Sequence, residues 1–323
     1  MYIGHVILIL IISVGGVSTA LGTPHEDTHL LPKQSTVVVQ MDVQSLQKSG
    51  VYKALFATNP AFQQQLNVAR NQFNFDATKD LGVLTIGVDA NALAAGQQDD
   101  AMVVILNPAL PKSATFFEKM SGGQMTTIRH GDSNYQRLGA AGPKATAVAR
   151  YLGRTVVAKE SVIKGILTGQ RDVNEKRKIA SQGRNKAAQI WIFGTPPTAL
   201  ETMLPLPILQ AQIAVSFGTS ITLDVFVETQ ANTAQDFVSE IDRQRQGFQA
   251  HPTLKSMGLA DILDKVKLNA EGTSIRASLE LTLKDIETLM GGLRRIQASP
   301  NPATQPGAPA PPVQGPAPPQ PGK

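Results

Sequence analysis

The chain of 323 residues contains no cysteine. That absence excludes disulfides, thiolate metal centres, a catalytic cysteine and a bacterial lipid anchor on an N-terminal cysteine. Stability must therefore come from packing and hydrogen bonding. Charge is scarce at the front: no lysine, arginine, aspartate or glutamate occurs before Glu26. The G-x-S-x-G, G-x-G-x-x-G and G-x-x-x-x-G-K patterns are also missing, so nothing supports a hydrolase elbow, a dinucleotide fold or a P-loop.

Charge and proline are local features. The net charge is +5, but residues 171–186 carry six basic side chains against Asp172 and Glu175, so this segment holds +4 and the rest of the chain is almost neutral. Ten of the 21 prolines fall between Ser299 and Lys323. Such a segment lacks the donors and apolar area to fold, and a disordered spacer with polyproline II character is expected over 298–323.

At the other end, Val6–Val17 is an apolar run suited to the core of a signal peptide, with small residues at Ser18, Ala20 and Gly22. The expected organisation is a signal peptide over 1–22 and a mature N-terminal tail over 23–30. An uncleaved N-terminal membrane anchor is the alternative, since about 20 apolar residues suffice to span a bilayer.

Between the ends the chain reads as two similar halves. Residues 31–170 open with a strand at Ser35–Asp42 and a short helix over 43–56. A helix from about Pro60 to Asn71, strands at Leu81–Asp89 and Ala101–Leu106, a helix over Ser113–Met120 and two strand pairs follow, then a closing helix at Ser161–Leu167. Residues 187–297 open with Gln189–Phe193 and a short helix over 198–203. They continue through strands at Ala211–Phe217 and Ile221–Glu228, an amphipathic helix over 233–248, a second hairpin ending at Thr282 and a closing helix over 283–296. Hairpins without regular strand–helix alternation predict an α+β fold of two halves, each an antiparallel sheet with helices packed on one face. The basic linker 171–186 separates them.

Every candidate for chemistry has a plainer reading. His25-Glu26-Asp27-Thr28-His29 matches the zinc-protease pattern H-E-x-x-H, in which a helix presents both histidines to the metal. Here the pentad lies between Pro24 and Pro32, leaving no room for a buried helix of several turns. Ser45 with Lys48, and Ser161 with Lys164, have the S-x-x-K spacing, but without companion motifs they read as residues at helix starts. His5, His130 and His251 stand far apart. Asp76 with Asp80, and Asp261 with Asp264, read as caps and solvated carboxylates rather than acid–base pairs. Trp191, in an alternating strand, is expected in the core. The basic linker 171–186 carries no stacking aromatics, so nucleic acid does not fit it; it reads first as a solvated loop and second as a weak contact with an anionic envelope surface.

Several residues resemble an uncharacterised family of exported bacterial proteins. They are Leu31-Pro32, Val37-Val38-Val39, Asp42, Leu46, Ser49, Tyr52, Phe75-Asp76 and Lys79-Asp80-Leu81, with the tryptophan strand at Trp191 and the ending Ser274–Leu293. The resemblance spans roughly residues 30 to 297. It implies export and a duplicated α+β body, and it supplies no catalytic residue and no cofactor. The sequence thus points to a non-enzymatic envelope or secreted protein that binds a partner protein, an envelope component or a ligand, in the periplasm or outside the cell. No catalytic, cofactor or metal residue is assigned. The alternative is a hydrolase whose site is assembled from distant residues.

Overall fold

The computed structural model describes residues 27–54, 60–73, 75–97, 101–110, 116–169, 188–195, 208–229, 233–252, 255 and 258–298. The expected signal peptide, basic linker, 198–203 helix and proline-rich tail lie outside these residues.

The first strand, β1 (Val37–Asp42), begins with three valines, whose branched side chains suit a pleated surface. Asp42 ends it and caps α1 (Val43–Lys48), accepting the Ser45 amide at 2.9 Å. The single helix expected over 43–56 is broken at Ser49. That residue is extended, and its hydroxyl caps a new turn, α2 (Gly50–Tyr52), by accepting the Tyr52 amide at 3.0 Å. Next come α3 (Pro60–Phe73), α4 (Ala77–Asp80) and β2 (Val83–Val88). Within the expected polar loop, α5 (Ala90–Ala94) forms because the Asp89 carboxylate accepts from the amides of Asn91 and Ala92.

The first half continues through β3 (Met102–Asn107), α6 (Phe116–Met120), β4 (Met125–His130), β5 (Ser133–Leu138), β6 (Thr146–Tyr151), β7 (Arg154–Lys159) and α7 (Glu160–Leu167). The second comprises β8 (Ile190–Gly194), β9 (Ile208–Phe217), β10 (Ile221–Thr229), α8 (Ala234–Ala250), α9 (Leu259–Asp264), β11 (Lys267–Glu271), β12 (Ser274–Leu281) and α10 (Leu283–Ala298).

The twelve strands among the described residues form one antiparallel sheet, in the order β11-β12-β10-β9-β8-β1-β2-β3-β7-β6-β5-β4. The two separate sheets expected from the sequence are therefore one. The join is the pairing of β1 with β8, in which Val39 faces Ile192 and Gln40 faces Trp191. The two opening strands are each other's partners, so neither half ends in a free edge there.

Helices on one face hold for the second half but not for the first. In β3, Val104 and Leu106 enter one core with Val43, Leu46, Phe75 and Phe116. Val103 and Ile105 enter another, with Leu30, Leu31, Ile163, Ile166, Trp191 and Phe193. The first face is thus covered by α1 and α6, the second by residues 27–31 and α7. Continuous apolar runs such as those of β3 and β7 mark strands buried on both faces. In the second half, Ala234 and Val238 of α8 pack with Ile275, Val227, Leu268 and Ala270, which the register places on the first face.

The folded body starts ahead of residue 31. Asp27, Thr28, Leu30 and Leu31 are all buried. Residues Thr28–Leu30 form one turn of 3-10 helix, and Leu31 packs where Gly87 leaves space on β2. A side chain at Gly87 would place its Cβ 2.7 Å from Leu31 Cδ2. The expected tail 23–30 is therefore part of the core from Asp27 onward.

Candidate functional site

One row of residues crosses all twelve strands on the second face and shows where that face changes character. From the β4 edge it runs Ile128, Tyr135, Ala149, Val156, Ile105, Thr85, Gln40, Trp191, Ala214, Asp224, Ser278 and Lys267. The row is apolar under α7. It becomes polar but buried at Thr85 and Gln40, where Gln40 Nε2 donates to Thr85 Oγ1 at 3.0 Å. Trp191 closes the core, 1% exposed and stacked on Phe193 with ring centroids 6.0 Å apart.

Beyond Trp191 the same face opens into a groove of about 610 Å³, whose lining residues all belong to β8–β12. This volume lies in the range of small-molecule sites. Small side chains at Ala214 and Ser278 give the groove its depth. Trp191 and Gln212 stand at one side, Phe226 and Arg276 along the floor, and Lys267 and Asn269 at the β11 edge. The Arg276 guanidinium lies over the Phe226 ring, 5.7 Å from its centroid, a cation–π arrangement.

The polar groups at the two ends of this face are bonded to each other. Gln210 Nε2 donates to Glu228 at 2.6 Å, and the Ser220 hydroxyl donates to Glu280 at 2.7 Å. Between them, Asp224 and Lys267 form no ion pair or side-chain hydrogen bond with any described residue, and Arg276 has the Phe226 ring as its partner. Three charged groups thus converge on an open groove without a counter-ion among the described residues.

A second charged cluster is closed and satisfied. Glu160, at the start of α7, accepts from the Tyr135 hydroxyl at 2.5 Å, from Arg137 Nε at 2.6 Å and from Lys164 Nζ at 2.9 Å. The Arg137 hydrogen bond holds the Glu160 carboxyl far below the usual carboxylate range, against the opposing effect of burial. Burial and the neighbouring carboxylate push the Tyr135 phenol up. With both carboxylate oxygens engaged, this cluster pins α7 to β5. A further cavity of about 490 Å³ lies nearby, between Leu110, Phe117, Asn134 and Arg150.

The residues singled out by motif are scattered. His25, Glu26 and His5 lie outside the described residues, while His29 sits in the 3-10 turn beside the buried Asp27. The Ser45 hydroxyl donates to Asp42 Oδ2 at 2.7 Å, so it completes a helix cap, and Lys48 is exposed. Ser161 is exposed, and Lys164 is held by Glu160. Asp80 does meet Asp76, but by accepting its backbone amide at 2.7 Å, and Asp76 pairs with Arg70 at 3.0 Å. Asp261 and Asp264 are exposed, and Asp264 accepts from Gln249. His130 ends β4, and His251 is the exposed cap of α8. Among the described residues no group of three or more histidine, aspartate or glutamate side chains is placed to hold a metal ion. No described helix is long and apolar enough to cross a membrane.

The residues carrying the family resemblance prove to be structural: Asp42 and Ser49 are caps, and Leu46, Tyr52, Phe75 and Leu81 are core. The groove was not signalled by any motif. Its one trace in the sequence is Phe226. In β10, Thr222, Asp224 and Glu228 hold the polar positions of a strict alternation, and Phe226 breaks it.

The geometry defines an α+β protein built on one large antiparallel sheet with an open groove at one end. No protein-family model and no curated protein matches the chain. Two solved structures of TP0453 are similar at low identity. Crystal form III gives a TM-score of 0.45 at 8% identity over 85% of this chain and 99% of that one. Crystal form I gives 0.39 at 9% identity over 81% and 97%.

Proposed function

We propose that this chain is an exported, non-enzymatic envelope or secreted protein that holds a ligand in the groove over Ala214 and Ser278. The observation that carries this reading is the convergence of Asp224, Lys267 and Arg276 on the groove with no ion-pair partner among the described residues. Leaving charges uncompensated on a partly enclosed surface costs free energy unless a ligand supplies the counter-charge. Export is supported by the apolar run Val6–Val17 and the small residues after it.

We further propose that the two halves are related by duplication. The first is ordered β1-β2-β3-β7-β6 outward from the join, and the second β8-β9-β10-β12-β11. In both, three successive strands are followed by the last strand and then the one before it. The hairpin β4–β5 is the addition peculiar to the first half.

The test is to isolate the protein from its own compartment and weigh it under native conditions. Its N-terminus should begin after Ala20 or Gly22, and a bound small molecule should add to its mass. Ala214→Trp, which fills the groove, should abolish that added mass. Masses that match the bare chain of each protein, with nothing added to either, would overturn the binding reading.

A further inference from the structure

Resting on that groove, the arrangement of its three charges narrows the ligand class. Asp224 and Lys267 share one register row with Ser278 between them, so their backbones are two strand spacings, about 10 Å, apart. Arg276 is the diagonal neighbour of Asp224 on the adjacent strand, about 7–8 Å away at the backbone. Its guanidinium rests on Phe226. The groove therefore has an acidic end and a basic end with polar Ser278 between.

We infer that this groove recognises a small zwitterion, with the ligand's ammonium at Asp224 and its carboxylate or phosphate between Arg276 and Lys267. A simple anion would satisfy the basic end and face the Asp224 carboxylate, which lies on the floor between small neighbours. A simple cation would face two positive charges. A neutral ligand would strip water from three ions and return no counter-charge. A molecule carrying both charges a few ångströms apart meets each group with its opposite, and Gln212 and Asn269 offer neutral hydrogen bonds to the span between.

Trp191 is the chain's only tryptophan and lines the groove, so its fluorescence reports occupancy directly. The full-length protein would be titrated with L-alanyl-L-alanine, its N-acetyl form, its C-terminal amide, phosphoethanolamine and inorganic phosphate. The expected result is a saturable change with the dipeptide or with phosphoethanolamine. Blocking either end of the dipeptide should weaken binding about tenfold or more, the scale of one charge-assisted hydrogen bond. Whichever of dipeptide and phosphoethanolamine binds more tightly identifies the anion as carboxylate or phosphate. Asp224→Asn should erase the preference for a free ammonium, and Arg276→Gln the preference for a free anion. Both positions are at the sheet surface, and far-UV circular dichroism checks that the variants fold. If the acetylated dipeptide or inorganic phosphate binds as well as the zwitterions and Arg276→Gln abolishes it, the groove is a site and the zwitterion assignment falls. If no probe binds, the zwitterion assignment falls also, and the native-mass comparison with Ala214→Trp decides the groove separately.

Discussion

Arg154 donates from Nε to Oδ1 of Asp27, a carboxylate with no solvent exposure, across 127 residues of sequence. Asn107 Nδ2 approaches both oxygens of the same carboxylate at 3.3 Å. The pair fastens the segment ahead of β1 to the ends of β3 and β7, and so brings Leu30 and Leu31 onto the second face. Removing one partner of a buried ion pair leaves a charge in a poor solvent, which costs about 3–5 kcal/mol. Arg154→Ala should therefore lower the unfolding free energy by about 3 kcal/mol in urea. Asp27→Asn, which keeps the shape and removes the charge, should cost less. A loss below about 1 kcal/mol for Arg154→Ala would show that residues 27–31 are peripheral.

The same segment predicts the effect of a single methyl group. A Cβ at position 87 would lie 2.7 Å from Leu31 Cδ2 and 2.8 Å from Ser35 Oγ, closer than side chains tolerate. Overpacking of this kind costs about 1–3 kcal/mol. Gly87→Ala should destabilise by that amount in the wild-type background and by less when combined with Leu31→Ala, since truncating Leu31 frees the space. Additive losses in the double variant would mean that the two residues do not compete.

Much of the fold was legible because its signals are local. The strands from Val37 and Met102 onward carry runs of branched residues, the hairpin β6–β7 turns at Leu152-Gly153, and β11 and β12 alternate apolar with polar. What was not legible is non-local. Nothing within Val37–Asp42 or Ile190–Gly194 states that these strands pair with each other, because the choice depends on which edges remain after every other strand has paired. The short apolar runs of β3, β6 and β7 are compatible with one buried face or two. Only the docking of Leu31 and Ile163 decides it. The groove was illegible for a related reason, since its charges look like an ordinary solvated strand face until Gln210–Glu228 and Ser220–Glu280 are seen to be paired and Asp224 is not.

Glu160 makes stability depend on acid. Its carboxyl is held far below its ordinary value of 4.5 by Arg137, Tyr135 and Lys164, and Lys265 and Thr282 bring Asp285 down from 3.8 to about 2. A carboxyl depressed in the folded state binds fewer protons than in the unfolded chain. It therefore stabilises fully above the unfolded value and loses that contribution as pH falls through the folded one. Urea midpoints should be flat near neutrality and decline from about pH 4.5 downward. Glu160→Gln should cost about 3 kcal/mol at pH 7 and decline less steeply below pH 4.5, retaining the part that Asp285 supplies. A variant with the wild-type slope would mean that Glu160 does not contribute to the acid transition.

The pairing of β1 with β8 makes the two halves one unfolding unit. Val38, Gln40, Thr85, Trp191 and Phe193 are all buried around this seam. Separating the halves would expose them together with two strand edges. The cost would include about 1.5–3 kcal/mol for each large apolar side chain uncovered and the loss of the ladder hydrogen bonds. Neither half can shed that interface and stay folded at ordinary stability margins. Trp191 sits on the seam, while far-UV circular dichroism reports all twelve strands. The two signals should therefore trace one urea transition with a common midpoint. Val38→Asp, which forces a charge into the seam, should move both midpoints down together. Two separated transitions, with Trp191 following only one, would mean that the halves fold independently and that the β1–β8 ladder is a contact between domains.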